Sequence, residues 1–327
     1  MTNQTIEWVL RAGLIGFGIY LCALPFVSGL STTAMATSFL VTLTLAMTFN
    51  LLAGYANIIL LGQHALVGIG SYGFFATAVL LGVNHWIAVL LAGVAAFLLA
   101  IPLIAFILRL RAAYLAVGTW VFAETVTLAS GKLSAFNGAT GISIPVSLAK
   151  AFGARTADRV ETIYWMALVL SVVTFISIWV FLRHPSGMAL SAMRDNEEAA
   201  ASIGVNINRA RAYSLLCVAP IMGLAGAINT LQRLGVTPTS SFSLIDWTVY
   251  PLFAAIIGGI GRIEGPIIGT IVFFAIRTWL ADLGAWHFVV LGVVAIAVIY
   301  LEPGGILGLI RRYAKVSIVP VAHRMRK

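Results

Sequence analysis

The chain has 327 residues, of which 61% are apolar and 9% charged, with a net charge of +9. Soluble domains carry roughly a quarter of their residues as charges, so an ordinary water-soluble domain is excluded and an integral membrane protein is implied. Positive charge at cytoplasmic helix ends accounts for the excess of Lys and Arg, and with no basic face carrying interleaved aromatics, nucleic acid is not an expected partner.

Apolar runs near the ~20 residues of a spanning helix recur along the chain, and the alternating decads of an outer-membrane barrel are absent. The expected fold class is therefore all-α: a polytopic membrane helix bundle of about ten spans, forming one transmembrane domain over residues 1–327. In chain order the spans are 8–29, 33–53, 62–82, 86–108, 113–130, 162–182, 212–231, 248–262, 265–281 and 286–302. The first lacks a small-residue cleavage pattern and is expected to persist as a helix. The eighth is short and broken by glycines, which suits a re-entrant or broken helix. Cys22 and Cys217 lie inside apolar runs, without disulfide or metal-ligand spacing.

Alternation of the spans assigns the sides. With the segment 183–211 and the basic tail 311–327 in the cytoplasm, most of the 20 Lys and Arg residues fall there, including Arg109, Arg194, Arg209 and Arg262. The bias puts both termini inside and turns the loop 131–161 outward.

The segment 183–211 is the one long charged stretch between spans, and it reads as a short amphipathic helix. Pro185 suits its first turn and Gly204 its C-terminal cap. Ala189, Met193, Asn196, Ala200 and Ile203 recur at three- and four-residue steps, while Arg194, Asp195, Glu197 and Glu198 fill the rest. A helix lying on lipid is usually richer in Lys, Arg and bulky apolar residues. Docking into a protein groove fits better, with Met193 and Ile203 as anchors and the charges at the rim.

The glycines cluster, with Gly62, Gly68, Gly70 and Gly73 in one span and Gly258, Gly259, Gly261, Gly265 and Gly269 near another. Close helix packing is the leading reading, and unwound backbone beside a path the alternative. Glu124 is the one acid well inside a span, so it is expected to face the protein interior or a watery cavity, with Thr119, Thr125 and Thr127 as local hydrogen-bond partners. Asn50, Asn57, Gln63, His64 and Ser71 concentrate polar groups around the third span and mark it, with Glu124, as a candidate transport path. His64 has no second ligand at metal spacing and reads as a hydrogen-bonded interior histidine, so no metal site is expected. Arg262 and Glu264 flank the glycine turn GGIGRIEGP, where a local ion pair suffices and a partner contact is the alternative. No GxxxxGK[ST] phosphate loop is present, so if ATP drives this protein, other chains bind it.

Several segments resemble the LivM-type permeases, membrane subunits of branched-chain amino acid ABC importers: NLLAGYANIILLGQHALVGIGSY (50–72), LRLRAAYLAVGTWVFAET (108–125), SGMALSAMRDNEEAAASIGVNINRAR (186–211), LAGAINTL (224–231), IIGGIGRIEGPIIGT (256–270) and LEPGGILGLI (301–310). The likeness spans essentially the whole chain in order. It implies a permease subunit in the bacterial cytoplasmic (inner) membrane, paired with a LivH-like permease. Two ATP-binding cassette subunits, holding ATP and Mg, would dock beneath, and a periplasmic substrate-binding protein would deliver substrate. The segment 186–206 matches the family's coupling segment through Arg194, Asp195, Asn196, Glu197 and Ala200. Departures fall at Asn57 to Leu60, where the family commonly has Gly-Gln-Leu-Ser, at Gln63-His64, where it has His-Ala, and at Asn137 to Gly141, where it has Gly-Gly-Thr-(Asn/Asp)-Gly. They bear on the substrate, leaving urea, sugars and other amino acids as alternatives. A secondary transporter or channel calls for more intramembrane charge, and a membrane-embedded enzyme lacks any acid–base or metal cluster.

Overall fold

The computed structural model describes residues 16–110, 112–280, 286–302 and 304–308. The start of the first predicted span, Arg11, Arg111 and the tail 311–327 lie outside the described residues. Helices α1 (Gly16–Val27), α2 (Leu30–Gly54), α3 (Gln63–Phe75), α4 (His85–Arg109), α5 (Ala112–Ser130), α6 (Val146–Ala151) and α7 (Thr156–Arg183) are followed by two short ones, α8 (Pro185–Asp195) and α9 (Glu197–Ser202). Then come α10 (Ile207–Arg233), α11 (Pro238–Ser241), α12 (Tyr250–Gly258), α13 (Gly265–Trp279) and α14 (Trp286–Leu301). Two-residue strands β1 (Ile142–Ser143) and β2 (Gly235–Val236) pair antiparallel, Ile142 opposite Val236. The all-α expectation holds. Among the described residues, five helical stretches are long and apolar enough to cross a membrane: α2, α4, α7, α10 and the stretch Pro238–Gly258.

Helix α2 is the hub, packing against α7, α10, α12 and α13, and every residue from 40 to 52 is buried. Its threonines make this possible. The hydroxyls of Thr33, Thr37, Thr42, Thr44 and Thr48 each donate to a backbone carbonyl three or four residues back. Each polar side chain is thereby satisfied within its own helix, so it can be buried without an outside partner. Between helices, Thr44 also meets Ser171 of α7 at 2.9 Å.

The two glycine clusters are packing seams. A Cβ at Gly70 would strike the backbone of Gly223 on α10, and one at Gly226 would strike the Val67 carbonyl on α3. In the α12–α13 hairpin, Cβ atoms at Gly258 and Gly269 would meet the carbonyls of Gly265 and Ala254. Backbones approach this closely in a membrane because van der Waals contact replaces the missing hydrophobic drive.

Two predicted boundaries are corrected. The loop 131–161, predicted to face outward, is folded over most of its length, and α7 starts at Thr156, where the Asp158 carboxylate accepts from the Arg155 amide at 3.2 Å. An N3 carboxylate reaching back to the N-cap amide starts a helix whatever the hydropathy of its first turn. The eighth span begins as a wide π-helical turn over Ile245–Val249, continues as α12 and stops at Gly258. Residues 259–262 belong to a turn instead, because Gly259 and Gly261 take φ of +111° and +81°, a region other L-residues enter only with strain.

Candidate coupling site and polar interior

Three turns gather at one end of the bundle: residues 55–62, the α8–α9 segment and residues 259–264. The sequence predicts one continuous coupling helix, but the structure breaks it at Asn196. That residue is extended (φ −161°, ψ 111°), and its side chain accepts from the Ala199 amide at 3.0 Å, capping α9. Asparagine is among the strongest N-cap residues, so a helical periodicity in side chains coexists with two separate helices. Pro185 stands in the first turn of α8 as expected. The end of α9 is a complete Schellman motif, with Gly204 at φ +92° and the Gly204 and Val205 amides donating to the Ala201 and Ala200 carbonyls.

The predicted outward anchors divide. Ile203 is 78% exposed and available to a partner, whereas Met193 and Ala200 are buried within the chain's own core. The break at Asn196 rotates α9 relative to α8, so the apolar stripe read along one helix does not form a single outward face.

Charges hold this segment to the bundle. Glu197 accepts from Arg211 on α10 at 3.0 Å and from Asn57 in the 55–62 turn at 3.1 Å. Arg194 donates to the Gly261 carbonyl at 3.1 Å, lies 5.4 Å above the Tyr55 ring, and pairs with the exposed Asp195 at 2.9 Å. Glu198 is exposed. Burial pushes the Tyr55 phenol up to about 12, with Arg194 and Arg262 opposing the rise and Glu264 adding to it.

The predicted path residues are mostly interior ties. Asn50, 2% exposed, accepts from the Gly261 amide at 2.8 Å and donates to the Arg262 carbonyl at 2.7 Å. Met47, Phe175, Ile178 and Ile263 pack around it. Gln63 donates to the Trp247 carbonyl at 2.6 Å, and His64 meets the Thr248 hydroxyl at 3.1 Å. Both grip the π-helical turn before α12, where a widened ladder frees a backbone group that a neighbouring helix then satisfies. Ser71 donates to the Gly226 carbonyl at 2.9 Å. Gln63, His64 and Ser71 are fully buried, and side chains that tie helices together in this way resemble pore-lining ones in sequence.

Glu124 departs from expectation in the other direction. It is exposed on the outer face of α5, in a row with Tyr114, Val117, Val121 and Leu128, all exposed. The threonines expected to bond it donate to their own helix instead, Thr119 to Ala116, Thr125 to Val121 and Thr127 to Ala123.

The opposite end is built differently. Tyr72 stacks against Phe136 and Phe242 with ring centroids 4.6 and 5.4 Å away, and Phe152 packs on His85 and Trp86. The β1–β2 pair ties the 131–155 loop to the chain after α10.

An all-helical bundle with glycine seams, self-satisfied buried threonines and a charged segment docked at one end defines a polytopic membrane permease. The branched-chain amino acid transport system / permease component family matches residues 31–299, and the chain belongs to that family. It is 28% identical over 330 residues to the high-affinity branched-chain amino acid transport system permease protein LivM of Escherichia coli, covering 93% of this chain and 76% of that protein. The probable LivM of Methanocaldococcus jannaschii is 24% identical, with 68% and 67% covered. The ribose import permease protein RbsC of Bacillus subtilis is 28% identical over 41% of this chain and 44% of its own length. No solved structure gives a significant match.

Proposed function

We propose that the chain is the LivM-type permease subunit of an ATP-driven importer that moves branched-chain or related amino acids inward by alternating access. The observation that carries this reading is the family match across residues 31–299. About ten spans cross the bacterial cytoplasmic membrane, with both termini in the cytoplasm. A LivH-like permease completes the path, two ATP-binding cassette subunits carrying ATP and Mg dock on the α8–α9 end, and a periplasmic substrate-binding protein meets the opposite end.

Arg194, Asp195, Asn196, Glu197, Glu198, Ala200 and Ile203 make up the docking segment in this reading. Ile203 and Glu198 touch the ATPase, Met193 and Ala200 seat the segment on the bundle, and Glu197 ties it to α10. Glu124 supports a second element. A carboxylate facing hydrocarbon costs at least about 2.5 kcal/mol, so its face of α5 turns toward the partner permease and the path between the two. The partial match to a ribose permease favours a sugar as the second substrate reading.

Affinity purification from the native membrane tests the assembly. Recovery of a second permease and ATP-binding subunits is expected, and the cognate binding protein's ligand then separates amino acid from sugar. Recovery of this chain alone, under detergents that keep known complexes intact, would sink the importer reading in favour of a secondary transporter or channel.

A further inference from the structure

The most connected feature outside the docking surface is the buried amide of Asn50. Both ends of that amide bind backbone groups of two adjacent residues in a different hairpin. Its oxygen takes the Gly261 N–H at 2.8 Å, and its nitrogen gives to the Arg262 carbonyl at 2.7 Å. The carbonyl of Gly261 accepts from Arg194 at the end of α8, at 3.1 Å. Gly261 is held there by contact as well, since a Cβ on Gly54 would collide with its backbone. The 259–264 turn joins α12 to α13, so three elements far apart in sequence meet at a single residue.

The second attachment of the same segment runs elsewhere. Glu197, on the far side of the Asn196 break, reaches Arg211 on α10 and Asn57 in the 55–62 turn. The two attachments approach each other at the 55–62 turn, where Arg194 lies 5.4 Å from the Tyr55 ring centroid.

We propose that Arg194 and Asn50 are positioning residues of a relay: movement at the end of α8 passes through the Gly261 peptide to the α12–α13 hairpin, separately from the Glu197 attachment to α10. The relay rests on the importer reading, in which the α8–α9 segment is the element the ATPase moves. Arg194 transmits because its guanidinium is confined on one side by the Tyr55 ring and on another by the Gly261 carbonyl. Asn50 keeps the turn from yielding, since a buried amide with both ends bonded resists displacement that would leave them unpaired. The break at Asn196 lets the two attachments move by different amounts.

A double-mutant cycle on the purified importer tests this, with substrate taken up per ATP hydrolysed as the readout. Arg194→Ala and Asn50→Asp are each expected to lower that ratio about tenfold while ATP hydrolysis persists, and the double variant is expected to fall no further than the worse single. Arg194→Lys, which can still donate to the carbonyl, is expected to recover part of the ratio. Independent, multiplicative losses would overturn the relay, as would parallel loss of hydrolysis and uptake, which is the mark of a purely structural role. Hydrogen exchange on the purified permease supplies an arm free of ATPase chemistry. Arg194→Ala should speed exchange at 259–262 more than at 57–60, while Glu197→Gln should do the reverse. Equal changes at both turns would overturn the relay by themselves. A wild-type preparation with no ATP-dependent uptake would instead remove the importer reading, and the exchange pattern would still decide whether the two attachments are separate.

Discussion

The two ends of the bundle are closed by different physics. At one end, charged side chains reach across to backbone carbonyls and to each other: Arg194 to Gly261, and Arg211 and Asn57 to Glu197. At the other, Tyr72, Phe136 and Phe242 stack, Phe152 packs on His85 and Trp86, and β1 pairs with β2. A few directional contacts to turns can be exchanged for water one at a time. An aromatic cluster loses its burial as a unit.

The largest expected effect lies at the aromatic end. Phe136→Ala removes a nearly buried ring from Tyr72 and Phe75 and should cost about 3 kcal/mol, read as a lower unfolding temperature in detergent that salt does not change. Next, Arg211→Ala leaves Glu197 half-buried without its cation and should cost about 2 kcal/mol, below the figure for a fully buried pair because solvent screens this one. Raising salt should narrow that gap between wild type and variant, and the absence of any salt dependence would erase the distinction between the two ends. Glu198→Lys leaves the chain's own contacts alone and changes the exposed rim. Coupled uptake should fall about fivefold through weaker docking, on the order of 1 kcal/mol, with membrane insertion intact.

The effect with no weight at neutral pH concerns Tyr55. Its phenol is raised by burial to about 12 from an ordinary 10.0, so the folded form holds the proton more tightly than the unfolded chain. Stability is therefore complete below pH 10 and falls as pH climbs toward 12. Unfolding midpoints measured across pH 9–12 should slope downward, and Tyr55→Phe should flatten the slope while changing little at neutral pH.

Hydropathy alone locates the helices closely, because burial in hydrocarbon demands long apolar runs. It misses where backbone hydrogen bonding overrides hydropathy: the early start of α7 at the Asp158 cap, the end of α12 at Gly258 and the break at Asn196. The docking segment was legible as polar and amphipathic, with its proline and glycine ends in the right places. Its outward face was not, since helical periodicity assumes one axis and Asn196 creates two. The interior partners of the third span's polar residues were not legible for a related reason. Gln63 and His64 serve a π-helical turn that lies 184 residues away in sequence, and no local pattern announces such a partner. Arg194 reads in the sequence as a rim charge of the docking segment and Asn50 as a path residue; their common partner, Gly261, emerges from the fold.

The central position of α2 has a consequence for how the protein is made. Its partner Ser171 is synthesised 127 residues after Thr44, and Arg262 comes 212 residues after Asn50. At 5–20 residues per second, Asn50 waits on the order of 10–40 s for its final bonds. The threonines can pass that interval satisfied by their own helix, but the Asn50 amide cannot. During translation α2 is thus a nascent helix with one polar group open to the insertion machinery, and the ribosome must deliver the α12–α13 hairpin before that group is sealed inside.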